Sequence, residues 1–156
     1  MSGHSDNLSN SGESSLYDRD FYAWANEQAG LLRAGKLTQA DIENIAEEIE
    51  SMGKSEKREL VSRLTVLLLH LLKWQYQPMR QGPSWRLSIA TTRDALADHL
   101  ADNPSLRATI AASISTAYRR ARRDAVTETG LPEATFPAIC PWAFDQLMSE
   151  GFWPGN

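Results

Sequence analysis

The stretch from Val61 to Gln77, VSRLTVLLLHLLKWQYQ, constrains the fold more than any other part of the chain. Eight of its seventeen residues are Val or Leu, and it contains neither Gly nor Pro. It is too long for a typical strand and long enough for about four to five turns of a helix, around which the apolar residues wrap almost completely. Such a pattern is typical of a helix that is buried among other helices.

Arg63 and Lys73 enclose the uncharged run from Leu64 to Leu72, which has only nine residues. A helix that crosses a membrane needs about twenty apolar residues. The sequence therefore predicts a core helix and no membrane association.

The chain has 156 residues, a length that favours one domain. Its net charge of −4 argues against general binding of nucleic acids. The single cysteine, Cys140, excludes an internal disulfide and a Cys-rich metal site. Residues 1–15 are rich in Ser, Gly and Asn and predict a disordered tail ahead of one domain over residues 16–156. Because this tail lacks the basic and apolar regions of a secretory signal, we expect a cytoplasmic protein.

Helical spacing and capping signals predict an all-α bundle of four to five helices with an extended, Pro-containing segment near its C-terminus. The first helix is predicted to begin near Asp18 and to end at Gly35. Thr38 is the next predicted cap. We expect one long helix over residues 39–77 that bends near Gly53, because Gly costs only about 1 kcal/mol inside a helix. Two separate helices are the alternative.

One face of the predicted long helix is apolar, and the opposite face near its start carries several glutamates. The apolar positions are Ile42, Ile45, Ile49, Met52, Leu60, Leu64, Leu67, Leu71 and Trp74, and Glu56 is the one polar residue among them. Later in the chain we expect a helix over 84–101, a second one that Asn103 and Pro104 open and Gly130 ends, and a short one over 143–148.

Several segments of the chain resemble a known bacterial family. These segments are LYDRDFYAW, DIENIAEEIESMG, HLLKWQYQP, the stretch from Trp85 to Arg93, NPSL and FPAICPW. Together they resemble the family called domain of unknown function number 29, over about residues 15–154. The resemblance implies a small all-helical domain of bacterial cytoplasmic proteins, and it implies no activity, cofactor or catalytic residue.

Glu47, Glu50 and His70 of the predicted long helix are the candidate metal ligands. Carboxylates and imidazole groups bind divalent cations, so these residues define one candidate site. The alternative is a solvated acidic face and a buried structural His70 that hydrogen-bonds a backbone carbonyl or a carboxylate, with Glu47 and Glu50 as the candidate carboxylates. We favour this alternative and expect no cofactor.

Two pairs of Arg and His residues are candidate catalytic groups for RNA cleavage. They are Arg63 with His70 and Arg93 with His99, and an Arg followed closely by a His forms the catalytic pair of some RNA-cleaving helical bundles. The Arg would bind a phosphate through paired hydrogen bonds, and the His would move a proton. Such short pairs also arise by chance in helices rich in Arg, so the sequence favours a protein that is not an enzyme.

The loop between Trp74 and Trp85, in which Arg80 can reach outward, is the candidate ligand-binding site. Arg119, Arg120, Arg122 and Arg123 form a basic cluster near the end of a predicted helix. This cluster could contact phosphate, but cations are also favourable at a helix C-terminus, and we favour that structural interpretation. Cys140 has no adjacent base in the sequence and is predicted to be buried and inert.

No coherent catalytic set emerges from these residues. The sequence therefore favours a non-enzymatic interaction module whose partner is another protein or a second copy of the chain. A helical-bundle ribonuclease and a metal-binding bundle of carboxylates and His remain the two alternatives.

Overall fold

The computed structural model describes residues 15–155. Within this range the chain forms six α-helices joined by loops and short 3-10 turns, without any strand, which confirms the all-α prediction. The disordered tail predicted for residues 1–15 lies outside the described residues, apart from Ser15. The chain divides into two compact units, one up to Met52 and one from Gly53 onward, and a single domain over residues 16–156 stays a prediction.

The first unit contains α1 (Leu16–Arg19), α2 (Phe21–Arg33) and the first part of α3 (Ile42–Tyr76). The predicted cap at Asp18 is wrong, because Ser15 caps the short helix α1 and Asp20 caps α2. The Asp20 carboxylate accepts a hydrogen bond from the backbone N–H of Ala23 at 3.1 Å. Gly35 adopts a left-handed φ of +72° just after α2, as the predicted stop requires.

Asp41, rather than the predicted Thr38, caps the start of α3. Its carboxylate accepts hydrogen bonds from the Asn44 side chain at 2.7 Å and from the Trp24 indole N–H at 3.1 Å. These bonds, above all the one from Asn44, hold the pKa of the Asp41 carboxyl below its ordinary value. Gln28 is buried and accepts a hydrogen bond from the Asp41 backbone N–H at 2.7 Å, so Trp24 and Gln28 fasten α2 to the start of α3.

The helix α3 continues without interruption through Gly53, which confirms the prediction of one long helix. The bend near this glycine stays a prediction. In the second unit most of the predicted core stretch is buried, although Val66 is 43% exposed. The side chains without any exposed surface are Leu60, Leu64, Leu67, Leu68, Leu71, Leu72 and Trp74. No helix among residues 15–155 combines the length and the apolar character needed to cross a membrane.

The second unit continues with α4 (Pro83–Asp102), α5 (Ile110–Thr129) and α6 (Phe144–Met148). The α-helix start predicted at Asn103 and Pro104 is wrong, because Pro104 opens a 3-10 turn and the Asn103 side chain makes no capping hydrogen bond. Gly130 ends α5 with a left-handed φ of +73°, as predicted.

The Pro-containing segment after α5 packs back onto the helices of the second unit. Phe136 is buried in the core, and the rings of Trp153 and Trp74 lie 4.7 Å apart. The Tyr118 hydroxyl donates a hydrogen bond to the Pro137 carbonyl, and burial raises the pKa of Tyr118 to about 12. The C-terminal residues therefore complete the core that begins with α3.

Candidate functional site

Most of the apolar face of α3 is exposed in the first unit, where only Ile45 is half-buried. Ile42, Ile49 and Met52 have exposed fractions of 51%, 59% and 61%, although the sequence places them on the same apolar face as the core leucines. From Leu60 onward, the apolar residues of that face are buried. A helix normally hides its apolar stripe, so we define the open face, Ile42 with Ile49 and Met52, as a candidate contact surface.

The helices α1 and α2 contact a neighbouring side of α3 and leave the open face uncovered. The Tyr17 hydroxyl donates a hydrogen bond to the Glu48 carboxylate, and this bond raises the pKa of Tyr17 to about 12. Trp24 and Gln28 both contact Asp41. Because Asp41 and Glu48 lie seven residues apart, both point to the same side of the helix.

Acidic side chains lie on the side of α3 away from the open face. Glu43, Glu47 and Glu50 are exposed along the same turns of α3. None of the three belongs to an ion pair among residues 15–155. The first turns of α3 therefore carry a net negative charge.

A second arrangement lies between α3 and α4 in the second unit. His99 is 7% exposed, and its Nε2 atom lies 2.8 Å from the backbone carbonyl oxygen of Glu56. Its Nδ1 atom faces one oxygen of Glu56 at 3.7 Å and one oxygen of Glu59 at 3.6 Å. Within the described part of the chain, no other group of three His, Cys, Asp or Glu residues has ligand atoms close enough together to hold a metal ion.

Both carboxylates of this cluster are oriented by neighbouring side chains. Oε1 of Glu59 accepts hydrogen bonds from Nε and Nη2 of Arg63 at 3.0 and 2.6 Å, while Oε2 faces His99. The Arg63 hydrogen bond holds the pKa of the Glu59 carboxyl below its usual range. The side-chain amide of Asn103 lies 3.4 Å from Oε2 of Glu56. The oxygens that face His99 are therefore held in place from outside the cluster.

A groove of about 760 Å³ lies between α5 and the segment that follows it, and the predicted basic cluster lines it. Arg122 is fixed there, because it donates hydrogen bonds to the Glu133 carboxylate at 2.8 Å and to the Phe136 carbonyl at 3.1 Å. Cys140 also lines the groove, and burial raises the pKa of its thiol. Arg122 thus has a structural role, but not the one predicted at a helix C-terminus, because α5 continues to Thr129 without a basic residue in its last turn. The Cys140 thiolate is scarce at neutral pH.

The two members of the Arg63 and His70 pair have different partners. Arg63 holds the Glu59 carboxylate. His70 is half-buried, less than the sequence predicts, and its Nδ1 atom lies 2.8 Å from the Val66 carbonyl oxygen. His70 therefore contacts a backbone carbonyl, which is one of the two kinds of hydrogen-bond partner predicted for it. This carbonyl lies one turn earlier in the same helix.

Arg93 and His99 also have different partners. Arg93 is 4% exposed and donates hydrogen bonds to the backbone carbonyls of Leu147 at 2.7 Å and Phe152 at 2.8 Å. Burial lowers the pKa of Arg93. Its guanidinium group also lies 5.5 Å from the Trp153 ring. Arg93 therefore anchors the C-terminal segment, whereas His99 faces the two glutamates.

The three candidate ligand-binding residues occupy different environments. Trp74 is fully buried, and its indole N–H has no hydrogen-bond partner among the described residues. Trp85 is half-buried beneath the Lys73 ammonium, which lies 5.2 Å from the ring centre. Arg80 is exposed, as predicted. Trp74 thus belongs to the core, and a ligand site at Arg80 and Trp85 stays a prediction.

The predicted metal ligands Glu47, Glu50 and His70 do not form a ligand group among residues 15–155. Glu47 and Glu50 are both exposed on the side of α3 away from the open face. Glu56 and Glu59 were not among the predicted ligands. The signal in the sequence is that Glu56 interrupts the apolar face of α3 and that a second glutamate follows one turn later.

Residues 16–153 match the family model described as "Domain of unknown function DUF29". The chain therefore belongs to this family, as its sequence motifs indicate. No curated protein and no solved structure matches the chain.

Proposed function

We propose that this member of the DUF29 family is a protein-interaction module that binds a basic amphipathic helix of another protein on its open face. The observation that carries the proposal is the exposure of Ile42, Ile49 and Met52 on a helix that buries the later apolar residues of the same face. Exposed apolar patches with a polar rim are typical of interaction sites.

The spacing of the open face suits a helix as the partner. Ile42, Ile49 and Met52 follow one another by seven and three residues, which is the spacing of positions that meet a second helix in helical packing. An amphipathic helix recognises such a surface through apolar residues on successive turns. Complete burial of a large apolar side chain contributes about 1.5–3 kcal/mol, so three partly exposed side chains can support a moderate affinity.

Charge favours a partner of different sequence over a second copy of this chain. The first turns of α3 carry the exposed Glu43, Glu47 and Glu50 on the side away from the open face. Two copies that paired through the open face would bring two acidic helix segments together, and like charges oppose association. Lys or Arg residues of a partner helix would instead be attracted by this negative charge.

The test uses a synthetic amphipathic helix of about twenty residues, with Leu on one face and Lys on the other, as the probe. The full-length chain should bind this peptide in isothermal titration calorimetry, and Ile49→Gln should weaken binding by about tenfold. Leu87→Gln is the matched control, because Leu87 is an exposed apolar residue of α4 outside the open face. Added salt should weaken binding, because it screens the attraction between the carboxylates of α3 and the Lys residues of the peptide.

Equal binding by the parent and Ile49→Gln would overturn the proposal. So would equal binding of a peptide in which Glu replaces every Lys. Sedimentation velocity separates the remaining alternative, since we expect the chain without peptide to be a monomer. A concentration-dependent dimer that Ile49→Gln abolishes would show that a second copy of the chain occupies the open face instead.

A further inference from the structure

We propose that Glu56, Glu59 and His99 form a binding site for a divalent transition-metal ion of the Zn²⁺ class, coordinated between α3 and α4. The inference does not depend on the helix-binding function, because its three residues lie in the second unit and the open face lies in the first. It rests on the geometry of His99 and of the two carboxylates that face it.

The distances within the cluster fit metal ligands better than hydrogen-bond partners. The Nδ1 atom of His99 lies 3.7 Å from Oε2 of Glu56 and 3.6 Å from Oε2 of Glu59. Hydrogen bonds from nitrogen to oxygen measure about 2.7–3.2 Å, so both contacts are too long. Tetrahedral Zn²⁺ with nitrogen and oxygen ligands at about 2.0–2.2 Å separates these ligands by roughly 3.3–3.6 Å. A central ion would need only small side-chain adjustments.

The environment of His99 supports the same assignment. Its Nε2 atom lies 2.8 Å from the Glu56 carbonyl oxygen, which can only accept a hydrogen bond, so Nε2 carries the proton. In the neutral imidazole, Nδ1 then has a free lone pair directed at the two carboxylates. A metal-binding His typically donates its other N–H to a carbonyl in this way. Because His99 is 7% exposed, its ring is held in this orientation by packing.

The neighbours of the carboxylates complete a supporting shell. Arg63 occupies Oε1 of Glu59 and leaves Oε2 for the ion. Asn103 lies 3.4 Å from Oε2 of Glu56, an oxygen that retains a further lone pair. Outer groups of this kind fix ligand orientation in metal sites. They also explain why two carboxylates of one helix turn point toward the same imidazole.

The ligand set indicates the class of ion. Two carboxylates and a neutral imidazole match the charge of a divalent cation, and a single nitrogen ligand favours Zn²⁺ and related metals over Ca²⁺ or Mg²⁺. The side chains of Glu56 and Glu59 remain 45% and 41% exposed, so water can fill the remaining coordination positions. An ion bound there would connect α3 and α4 and stabilise their packing.

The test is equilibrium dialysis of the untagged full-length chain against buffered Zn²⁺ after removal of metals with a chelator. Elemental analysis should find one Zn²⁺ ion per chain in the parent. Glu56→Gln should weaken binding by about tenfold or more, and it keeps the fold because this side chain is half-exposed. Zn²⁺ should raise the melting temperature of the parent more than that of Glu56→Gln, since an ion stabilises the folded state by an amount that grows with its affinity.

Two matched controls keep the test specific. Glu47→Gln changes an exposed glutamate of the same helix, and His4→Gln removes an imidazole outside the described residues. Both variants should bind Zn²⁺ like the parent. The proposal is overturned if the parent retains no stoichiometric Zn²⁺, or if either control loses as much binding as Glu56→Gln.

Discussion

Replacing Arg93 by Met should destabilise the protein, because Arg93 fastens the C-terminal segment to α4. Its guanidinium group donates hydrogen bonds to the carbonyls of Leu147 and Phe152 at 2.7 and 2.8 Å. Met has a similar length and is apolar, so the substitution removes both donors while it preserves most of the packing. The same residue is a candidate phosphate ligand in the ribonuclease hypothesis, and the experiment therefore also separates an anchor from a catalytic group.

The magnitude follows from these two contacts. Hydrogen bonds from a charged group contribute about 1.5–3 kcal/mol each, and a buried carbonyl left without a donor costs about 1–3 kcal/mol. Removing the buried guanidinium also removes the cost of its desolvation, which lowers the pKa of Arg93 in the folded protein. We therefore expect the free energy of unfolding to fall by about 2–4 kcal/mol, less than the simple sum.

Urea denaturation followed by tryptophan fluorescence measures this change directly, since Trp153 lies against the guanidinium group. Arg93→Lys should give an intermediate loss, because Lys cannot direct two donors in the geometry of Arg. Arg107→Met is the control, as Arg107 is exposed. An unfolding midpoint of Arg93→Met equal to that of the parent would refute the anchoring role of Arg93.

Four further predictions concern the backbone, the cysteine and the first unit. Gly130→Ala should destabilise the protein by about 1 kcal/mol in thermal melts, because Gly130 has a left-handed φ of +73°. Gly53→Ala, in open space within α3, should instead stabilise it by a similar amount, about 1 kcal/mol. The Cys140 thiol should react with a disulfide reagent more slowly than free cysteine at about pH 8, because burial raises its pKa. The Asp41 carboxylate stabilises the folded state at pH values above its ordinary pKa of 3.8, and this contribution is lost as the pH falls through the lower pKa of the folded state. Asp41→Asn should therefore reduce the destabilisation of the protein by acid.

The core of the second unit is readable from the sequence because its signals are local. The stretch from Val61 to Gln77 is continuous and largely apolar, and the structure buries Trp74 and every leucine of the stretch except the half-buried Leu69. The helix stops at Gly35 and Gly130 are equally local, since each glycine supplies the left-handed residue that ends a helix. Helix starts are less certain from sequence. Several residues near Asp41 can act as caps, and the choice depends on contacts from Trp24 and Gln28.

The open face shows what periodicity leaves undetermined. The helical spacing of Ile42, Ile49 and Met52 identifies an apolar face, but it does not tell whether the same chain covers that face. In the structure, the residues of this face are buried from Leu60 onward, whereas Ile42, Ile49 and Met52 are exposed, although all of them belong to one continuous helix. Coverage depends on where the other helices lie, which is a long-range property.

The His99 cluster depends on a contact between residues that are distant in sequence. Glu56 and His99 are separated by 43 positions, and their meeting requires the packing of α4 against α3. From the sequence alone, His99 pairs with Arg93 because the two are near each other along the chain. In the structure, Arg93 instead donates hydrogen bonds to backbone carbonyls of the C-terminal segment, and His99 faces the carboxylates of Glu56 and Glu59.

Hydroxyl-radical footprinting of the full-length monomer tests the central claim most directly, because it reports the exposure of individual side chains in solution. We predict rapid oxidation of Met52 in the free chain, no modification of Leu67 or Leu71, and protection of Met52 when the Lys and Leu peptide is added. Protection of Met52 in the free monomer would contradict the account, since the face assigned to a partner would then be covered by the chain itself.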